Sequence, residues 1–221
     1  MVLVTGASGE IGEFLFNEYK NFGEAVRGIS CRKEVAGLDR VNISSFNSVQ
    51  AWVQACELRG EVTLLNCAGI NYNSLLRSSE PEDWANVINT NLIGTYNVIR
   101  AVLPYMTKVG YGRIINFSSV VPQIGVPGTT AYAASKAGLW GMTKSLSKEL
   151  GDKNITVNNI NLGYCEIGMI KEVPLSALEK LRSGIPKKRF CTKEEILKTV
   201  DYIRGNAYLN GTSIDLNGGL F

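Results

Sequence analysis

Val2-Leu3-Val4-Thr5-Gly6-Ala7-Ser8-Gly9-Glu10-Ile11-Gly12 opens the chain and decides its architecture. Val2 to Thr5 is a short apolar run that reads as a strand, and Glu10 to Asn21 has the apolar spacing of an amphipathic helix. Between them, glycines let the backbone turn sharply and come close to a bound group. Strand, Gly-rich turn and helix in that order begin a βαβ unit whose helix N-terminus stabilises a pyrophosphate. The turn therefore predicts dinucleotide binding, with Gly6, Ser8, Gly9, Glu10 and Ile11 around the phosphates.

Outward from this unit, strands and helices keep alternating. Ala25 to Ile29 reads as a second strand, residues 38–43 as a third, Val62 to Asn66 as a fourth and Arg113 to Phe117 as a fifth. Ile155 to Ile160 and Ser213 to Leu216 complete the set. Helices are expected over Phe46 to Glu57, about Pro81 to Met106, about Thr130 to Leu150, and Lys193 to Ile203. Such alternation predicts an α/β fold, a doubly wound parallel sheet of about seven strands with helices on both faces. No linker, repeat or low-complexity segment divides the chain, so residues 1–221 read as one domain. The stretch from Ile29 to Leu38 is too short for a full helix.

Composition narrows the function classes. With 221 residues, 45% of them hydrophobic, the chain can bury a full core. A net charge of +3 and the lack of a dense Lys/Arg run argue against nucleic acid. Histidine is absent, which excludes Ser-His catalysis, and five scattered cysteines without C-x-x-C spacing argue against a zinc site. An odd number of single cysteines suits a reducing compartment. No apolar run is long enough to span a membrane, and the chain opens directly into a strand, so a cytoplasmic protein is expected.

Tyr132 and Lys136 stand four residues apart in an expected helix and project from one face. An ammonium beside a phenol favours the phenolate, so Lys136 is expected to lower the Tyr132 pKa and fit it for proton transfer near neutrality. For the adenosine ribose, an Asp or Glu about 20 residues past the glycines would favour NAD. This chain has no carboxylate there until Glu34 and offers Arg32 and Lys33, which suit a 2′-phosphate and favour NADP(H) over NAD(H).

Further segments join these: Asn66-Cys67-Ala68-Gly69, Asn91 within Asn89-Thr90-Asn91-Leu92, Gly112 to Ser119, Tyr132-x-x-x-Lys136, and Asp215-Leu216-Asn217-Gly218-Gly219. Their order resembles the classical branch of the short-chain dehydrogenase/reductase family over nearly the whole chain, with details similar to 3-oxoacyl-[acyl-carrier-protein] reductases. The resemblance implies a Rossmann-type fold and a catalytic set of Asn91, Ser119, Tyr132 and Lys136. In that set Tyr132 protonates a carbonyl oxygen, Ser119 hydrogen-bonds it, Lys136 also binds the nicotinamide ribose, and Asn91 holds a water. It further implies cofactor contacts from Asn66, Ala68, Gly69, Gly163 and Cys165. A homotetramer or homodimer through the two long helices is implied as well.

Three features depart from the family pattern. Glu10 stands where classical members place the middle glycine of the turn. Leu162 replaces a proline, and Ile167 replaces a threonine that touches the nicotinamide amide. The segment near residues 30–40 is short. A substrate lid is expected over about 164–190, with Tyr72, Gln123 and Tyr164 walling the pocket. The resemblance makes a 3-oxoacyl thioester the leading substrate, with acyl carrier protein as a candidate carrier met by Lys108, Arg113 and Lys153; Gly110 lies where such reductases often have Arg. Reduction of a small keto or sugar-like compound, nucleotide-sugar epimerisation or dehydration, and non-catalytic nucleotide binding are the alternatives.

Overall fold

The strands β1 (Val2–Thr5), β2 (Val26–Ser30), β3 (Asp39–Arg40), β4 (Thr63–Asn66), β5 (Gly112–Ser119), β6 (Ile155–Leu162) and β7 (Ser213–Leu216) form one sheet, ordered β3-β2-β1-β4-β5-β6-β7, in the computed structural model, which describes residues 1–31 and 34–221. Every neighbouring pair is parallel. The helices are α1 (Glu10–Asn21), α2 (Phe46–Ala55), α3 (Pro81–Ile88), α4 (Gly94–Val109), α5 (Val121–Ile124), α6 (Thr130–Leu150), α7 (Leu175–Gly184) and α8 (Lys193–Gly205).

Period-two alternation sorts strand side chains between two apolar clusters. Leu3, Leu64, Ile114 and Val157 pack with Val49 and Trp52 of α2 and with Val98, Val102 and Met106 of α4. Val2, Val4, Leu65, Ile115 and Ile160 pack with Leu15 and Tyr19 of α1 and with Ile196, Val200 and Ile203 of α8. Burial on both faces explains why these strands do not alternate between an apolar and a solvated side. Each fully buried Leu or Ile stabilises the fold by roughly 1.5–3 kcal/mol.

The structure corrects two boundaries and adds detail to the lid segment. The third strand is Asp39–Arg40 alone, because Ser44 N–H donates to Asn42 Oδ1 and Ser45 N–H to Asn42 O, turning the chain away from the sheet. Val41 and Ile43 are still buried, but beneath α2 and α4 rather than in a strand. The long helix after β4 is interrupted by a π turn, Asn89–Ile93, and runs on to Val109, where Gly110 at φ 72° ends it. Within the expected lid, Met169–Glu172 form a 3-10 turn ahead of α7.

Helix α6 docks on the sheet through polar side chains. Asn66, Asn116 and Asn159 lie in register across β4, β5 and β6. Asn66 Nδ2 donates to Asn116 Oδ1 at 2.9 Å, and Asn116 Nδ2 donates to Thr143 Oγ1 of α6 at 3.1 Å. Thr143 Oγ1 donates to Asn159 Oδ1 at 2.8 Å, and Asn159 Nδ2 reaches Ser213 Oγ of β7 at 2.9 Å. A second row joins Ser118, Asn161 and Asp215, with Trp140 of α6 donating to Ser118 Oγ and to Asn161 Oδ1, both at 2.9 Å. Asn66 Oδ1 at the end of the first row has no partner among the described residues, but the linked members fix the helix in one register, because a shift would strand more buried polar groups. Asn116→Ala is expected to destabilise the protein by about 3 kcal/mol, since it leaves buried partners unpaired. Urea unfolding midpoints at unchanged slope measure this, and a loss under about 0.5 kcal/mol would deny the row its role.

Candidate active site

The sheet order reverses between β1 and β4, and a crevice at the carboxyl ends of such strands is where open α/β sheets bind ligands. Thr5 Oγ1 at the end of β1 accepts a hydrogen bond from Ala68 N–H at 3.1 Å. Gly6 has φ 64°, and a Cβ there would lie 2.7 Å from Ala68 Cα. A Cβ on Gly12 would collide with the Gly6 carbonyl. Glycine is thus required at both positions for the turn to fold against the loop after β4. Gly9 caps α1 without a side-chain hydrogen bond, leaving the first-turn amides to an external anion. These residues fit a dinucleotide diphosphate. Ser30 Oγ donates to Ser8 Oγ at 2.8 Å, tying the turn to the end of β2. Arg32 and Lys33, expected at the ribose, lie outside the described residues.

Asn91 sits in the π turn and is fully buried. Its Oδ1 accepts from Ile70 N–H at 2.8 Å, while its Nδ2 donates to Ile70 O at 2.9 Å and to Ser135 Oγ at 3.0 Å. Ser135 Oγ donates in turn to Tyr132 O at 2.8 Å. The Asn91 side chain therefore clamps the segment after Gly69 onto α6 and has both ends of its amide engaged.

Ser119, Tyr132 and Lys136 converge beyond the carboxyl end of β5. Lys136 Nζ donates to Phe117 O at 2.6 Å and lies 5.6 Å from the centre of the Tyr132 ring. The Ser119 hydroxyl oxygen accepts from Val121 N–H at 3.1 Å, and its contact with Tyr132 favours the phenolate. Ser118 faces the other way and donates to Lys136 O at 3.1 Å, so strand alternation separates the two serines as expected. Tyr132 packs with Val87, Ala131, Ile70, Trp84 and Val121, and is 7% exposed.

The electrostatics differ from the sequence expectation. Burial pushes the Tyr132 hydroxyl up to about 12, and contact with Ser119 only partly offsets it. Burial also pulls the Lys136 ammonium down to about 8. At the pH where Tyr132 would ionise, Lys136 has already lost its own proton, so it does not hold the phenol low. Desolvation outweighs the neighbouring charge here. In the cofactor-free protein Tyr132 is a neutral phenol at pH 7.

The remaining expected residues are dispersed around this centre. Tyr72 packs beside Tyr132, and its hydroxyl accepts from Glu80 N–H at 2.9 Å. Gln123 Nε2 donates to Asp215 Oδ1 at 3.3 Å. Tyr164 lines a cavity of about 630 Å³ with Lys187, Arg189, Cys191, Asp215 and Asn217; Ser119 and Tyr132 are not among the described residues lining it. A Cβ on Gly163 would lie 2.8 Å from Asn217 Cα, which accounts for glycine at the end of β6. Cys165 forms a single parallel bridge with Cys191, so the two ends of the expected lid meet. Glu10 aims its carboxylate at Gly168 and Lys171. Sequence reading missed Ser135, Trp140 and Thr143; their only local signal is placement at i+3, i+8 and i+11 from Tyr132 on one helix. Among the described residues, no cluster of His, Cys, Asp and Glu could hold a metal, and no helix is long and apolar enough to cross a membrane.

Residues 1–176 match the short chain dehydrogenase family, and the chain belongs to that family. It is an NAD(P)-dependent oxidoreductase acting on the CH–OH/C=O pair. The chain is 45% identical over 236 positions to the 3-oxoacyl-[acyl-carrier-protein] reductase FabG of Thermotoga maritima, covering 99% of this chain and 96% of that protein. It is 37% identical over 240 positions to the reductase of the same name from Pseudomonas aeruginosa, covering 100% and 97%. Acetoacetyl-CoA reductase of Allochromatium vinosum is 33% identical over 241 positions, covering 100% and 98%. These alignments run longer than the chain's 221 residues, so the relatives carry residues that this chain lacks.

A pH series tests the electrostatics. A lysine whose folded pKa is lowered to about 8 from its usual 10.5 binds fewer protons folded than unfolded in that interval. Stability attributable to Lys136 therefore rises with pH from about 8 to 10.5. Tyr132, raised from 10.0 to about 12, acts oppositely above pH 10. Between pH 8 and 10 the wild type is expected to gain stability relative to Lys136→Met in urea unfolding. Parallel curves would contradict the assigned burial cost.

Proposed function

We propose that this protein reduces a ketone to a secondary alcohol with NADPH, and that the ketone is a 3-oxoacyl thioester. The observation that carries this reading is the buried, protonated Tyr132 beside Lys136 and Ser119, at the strand ends that adjoin a diphosphate-fitting turn. When bound, the nicotinamide supplies a hydride to the carbonyl carbon. Tyr132 gives its proton to the carbonyl oxygen, and the Ser119 hydroxyl donates a hydrogen bond to that oxygen as negative charge develops on it. Lys136, charged at pH 7, binds the nicotinamide ribose hydroxyls and provides the proton that restores Tyr132. Asn91 orients this unit by holding Ile70 against Ser135.

In this reading Gly6, Ser8, Gly9 and Ile11 cradle the diphosphate, Asn66, Ala68 and Gly69 border the nucleoside, and Gly163 and Cys165 hold the nicotinamide amide through backbone groups. The preference for NADPH rests on Arg32 and Lys33 in the sequence. The thioester assignment draws on the names of the three relatives, which specify acyl carrier protein or coenzyme A substrates. Tyr72, Gln123, Tyr164 and the lid of residues 164–190 form the substrate wall, with acyl carrier protein as the physiological carrier. The site works in the cytoplasm and in a homodimer or homotetramer. Exposed Ile93 and Tyr96 at the start of α4 support self-association there.

Oxidation of NADPH, followed by absorbance across ketones that include a 3-oxoacyl thioester, tests this. The thioester is expected to be the best substrate by kcat/KM, and Tyr132→Phe should lower kcat by about 10²–10⁴-fold with little change in NADPH affinity. Full turnover by the phenylalanine variant would remove the acid role, and indifference to the thioester would remove the substrate.

A further inference from the structure

Two of the sequence departures meet at one point in the structure. Glu10 Oε2 accepts a hydrogen bond from Gly168 N–H at 2.7 Å, and Glu10 Oε1 pairs with Lys171 Nζ at 2.6 Å. Gly168 is the residue after Ile167, at the root of the lid, and holds φ 88°. Lys171 N–H donates to Gly168 O at 3.2 Å, so the same short turn presents both an amide and an ammonium to one carboxylate. Ile11, next to Glu10, adds an apolar contact: its Cδ1 lies 3.5 Å from where a Gly168 Cβ would be. Ile11 and Ile167 also pack against the same apolar cluster. The first turn of α1 thus grips the lid root by a charge-assisted hydrogen bond, an ion pair and an apolar contact.

We propose that Glu10 is a positioning residue that fastens the lid root, Gly168 to Lys171, to the cofactor cradle, so that the phosphate turn and the start of the lid move as one body. This rests on the reading of the turn as a diphosphate cradle. The charge arrangement supports it. A lone carboxylate in the first turn of α1 would repel a diphosphate at that helix end, whereas pairing with Lys171 cancels its charge locally. Hydrogen bonds from Lys171 and Gly168 hold the Glu10 carboxyl below its usual range, so the contact persists through neutral pH. Ile167 brings no hydroxyl to the nicotinamide side. The neighbouring Gly168 amide, anchored by Glu10, instead holds that stretch of backbone in place.

Hydrogen exchange of the Gly168 amide in the cofactor-free protein reads the contact directly. Glu10→Ala removes both interactions and is expected to speed exchange about tenfold. Glu10→Gln keeps an acceptor for the amide and should stay within about threefold of wild type. In turnover, Glu10→Ala should raise KM for the ketone about tenfold without weakening NADPH binding, with rescue by Glu10→Gln. Lys171→Met, which leaves the carboxylate unpaired, should weaken NADPH binding several-fold. Unchanged Gly168 exchange in a folded Glu10→Ala protein overturns the proposal. A loss of NADPH affinity in that variant as large as the rise in KM also overturns it, by placing Glu10 in cofactor binding. The exchange arm needs neither cofactor nor substrate, so it decides this proposal independently; wild-type protein that reduces no ketone counts against the proposed function alone.

Discussion

Helix α6 carries Tyr132 and Lys136, and its attachment to the sheet is the constraint on which the site depends. Most helices of the fold are seated by an apolar stripe that tolerates small slips. The inner face of α6 has apolar contacts too, through Leu150, Met142 and Leu146, but it also meets β5 and β6 through Thr143, Trp140 and the Lys136 main chain, each hydrogen-bonded to a buried strand side chain. Non-directional apolar packing could not specify rotation and height this closely. Lys136 then closes the contact by donating to Phe117 O, placing its ammonium two residues before Ser119. The distance between Tyr132 and the strand end is thereby set by the sheet's own register.

That attachment has an electrostatic consequence. Pulling a phenol and an ammonium into an apolar corner penalises both charged forms, and each pKa moves toward neutrality of its group. A phenol that stays protonated is the form the proposed reduction would use, because it has a proton to give. The lysine, still charged at pH 7, keeps a proton in reserve. The Asn91 clamp and the Ser135 bond to the Tyr132 carbonyl brace the same turn of α6 from the opposite side. Chemistry and packing use the same atoms here, so the polar rows of the sheet belong to the site as well as to the core.

The sheet was legible from sequence because its strands are buried on both faces and its turns are marked by glycine. Residues 38–43 misled for a physical reason: Val41 and Ile43 are core residues of a turn, and apolar content alone does not separate a strand from a buried loop. The π turn at Asn89–Ile93 has no periodic signature, since it exists to place the Asn91 amide against Ile70. Asn66, Asn116 and Asn159 have low strand propensity one at a time, and only cross-strand register reveals that they bond to one another. Resemblance to the family pattern singles out Asn91, Ser119, Tyr132 and Lys136, and in the structure Ser119, Tyr132 and Lys136 converge. The direction of the Tyr132 pKa was not legible, because burial is a property of the folded corner and not of the Tyr–Lys interval. Contact between Glu10 and Gly168 spans most of the chain and leaves no local trace.

Burial keeps Tyr132 neutral, and the polar seating of α6 fixes it beside Lys136. Tyrosinate absorbance near 295 nm, titrated in cofactor-free wild type and in Tyr132→Phe, measures this directly. The difference between the two proteins is expected to stay flat from pH 7 to pH 10, with Tyr132 ionising only toward about 12. A tyrosinate step lost in Tyr132→Phe and centred near pH 7–8, well under the usual tyrosine range, would contradict it.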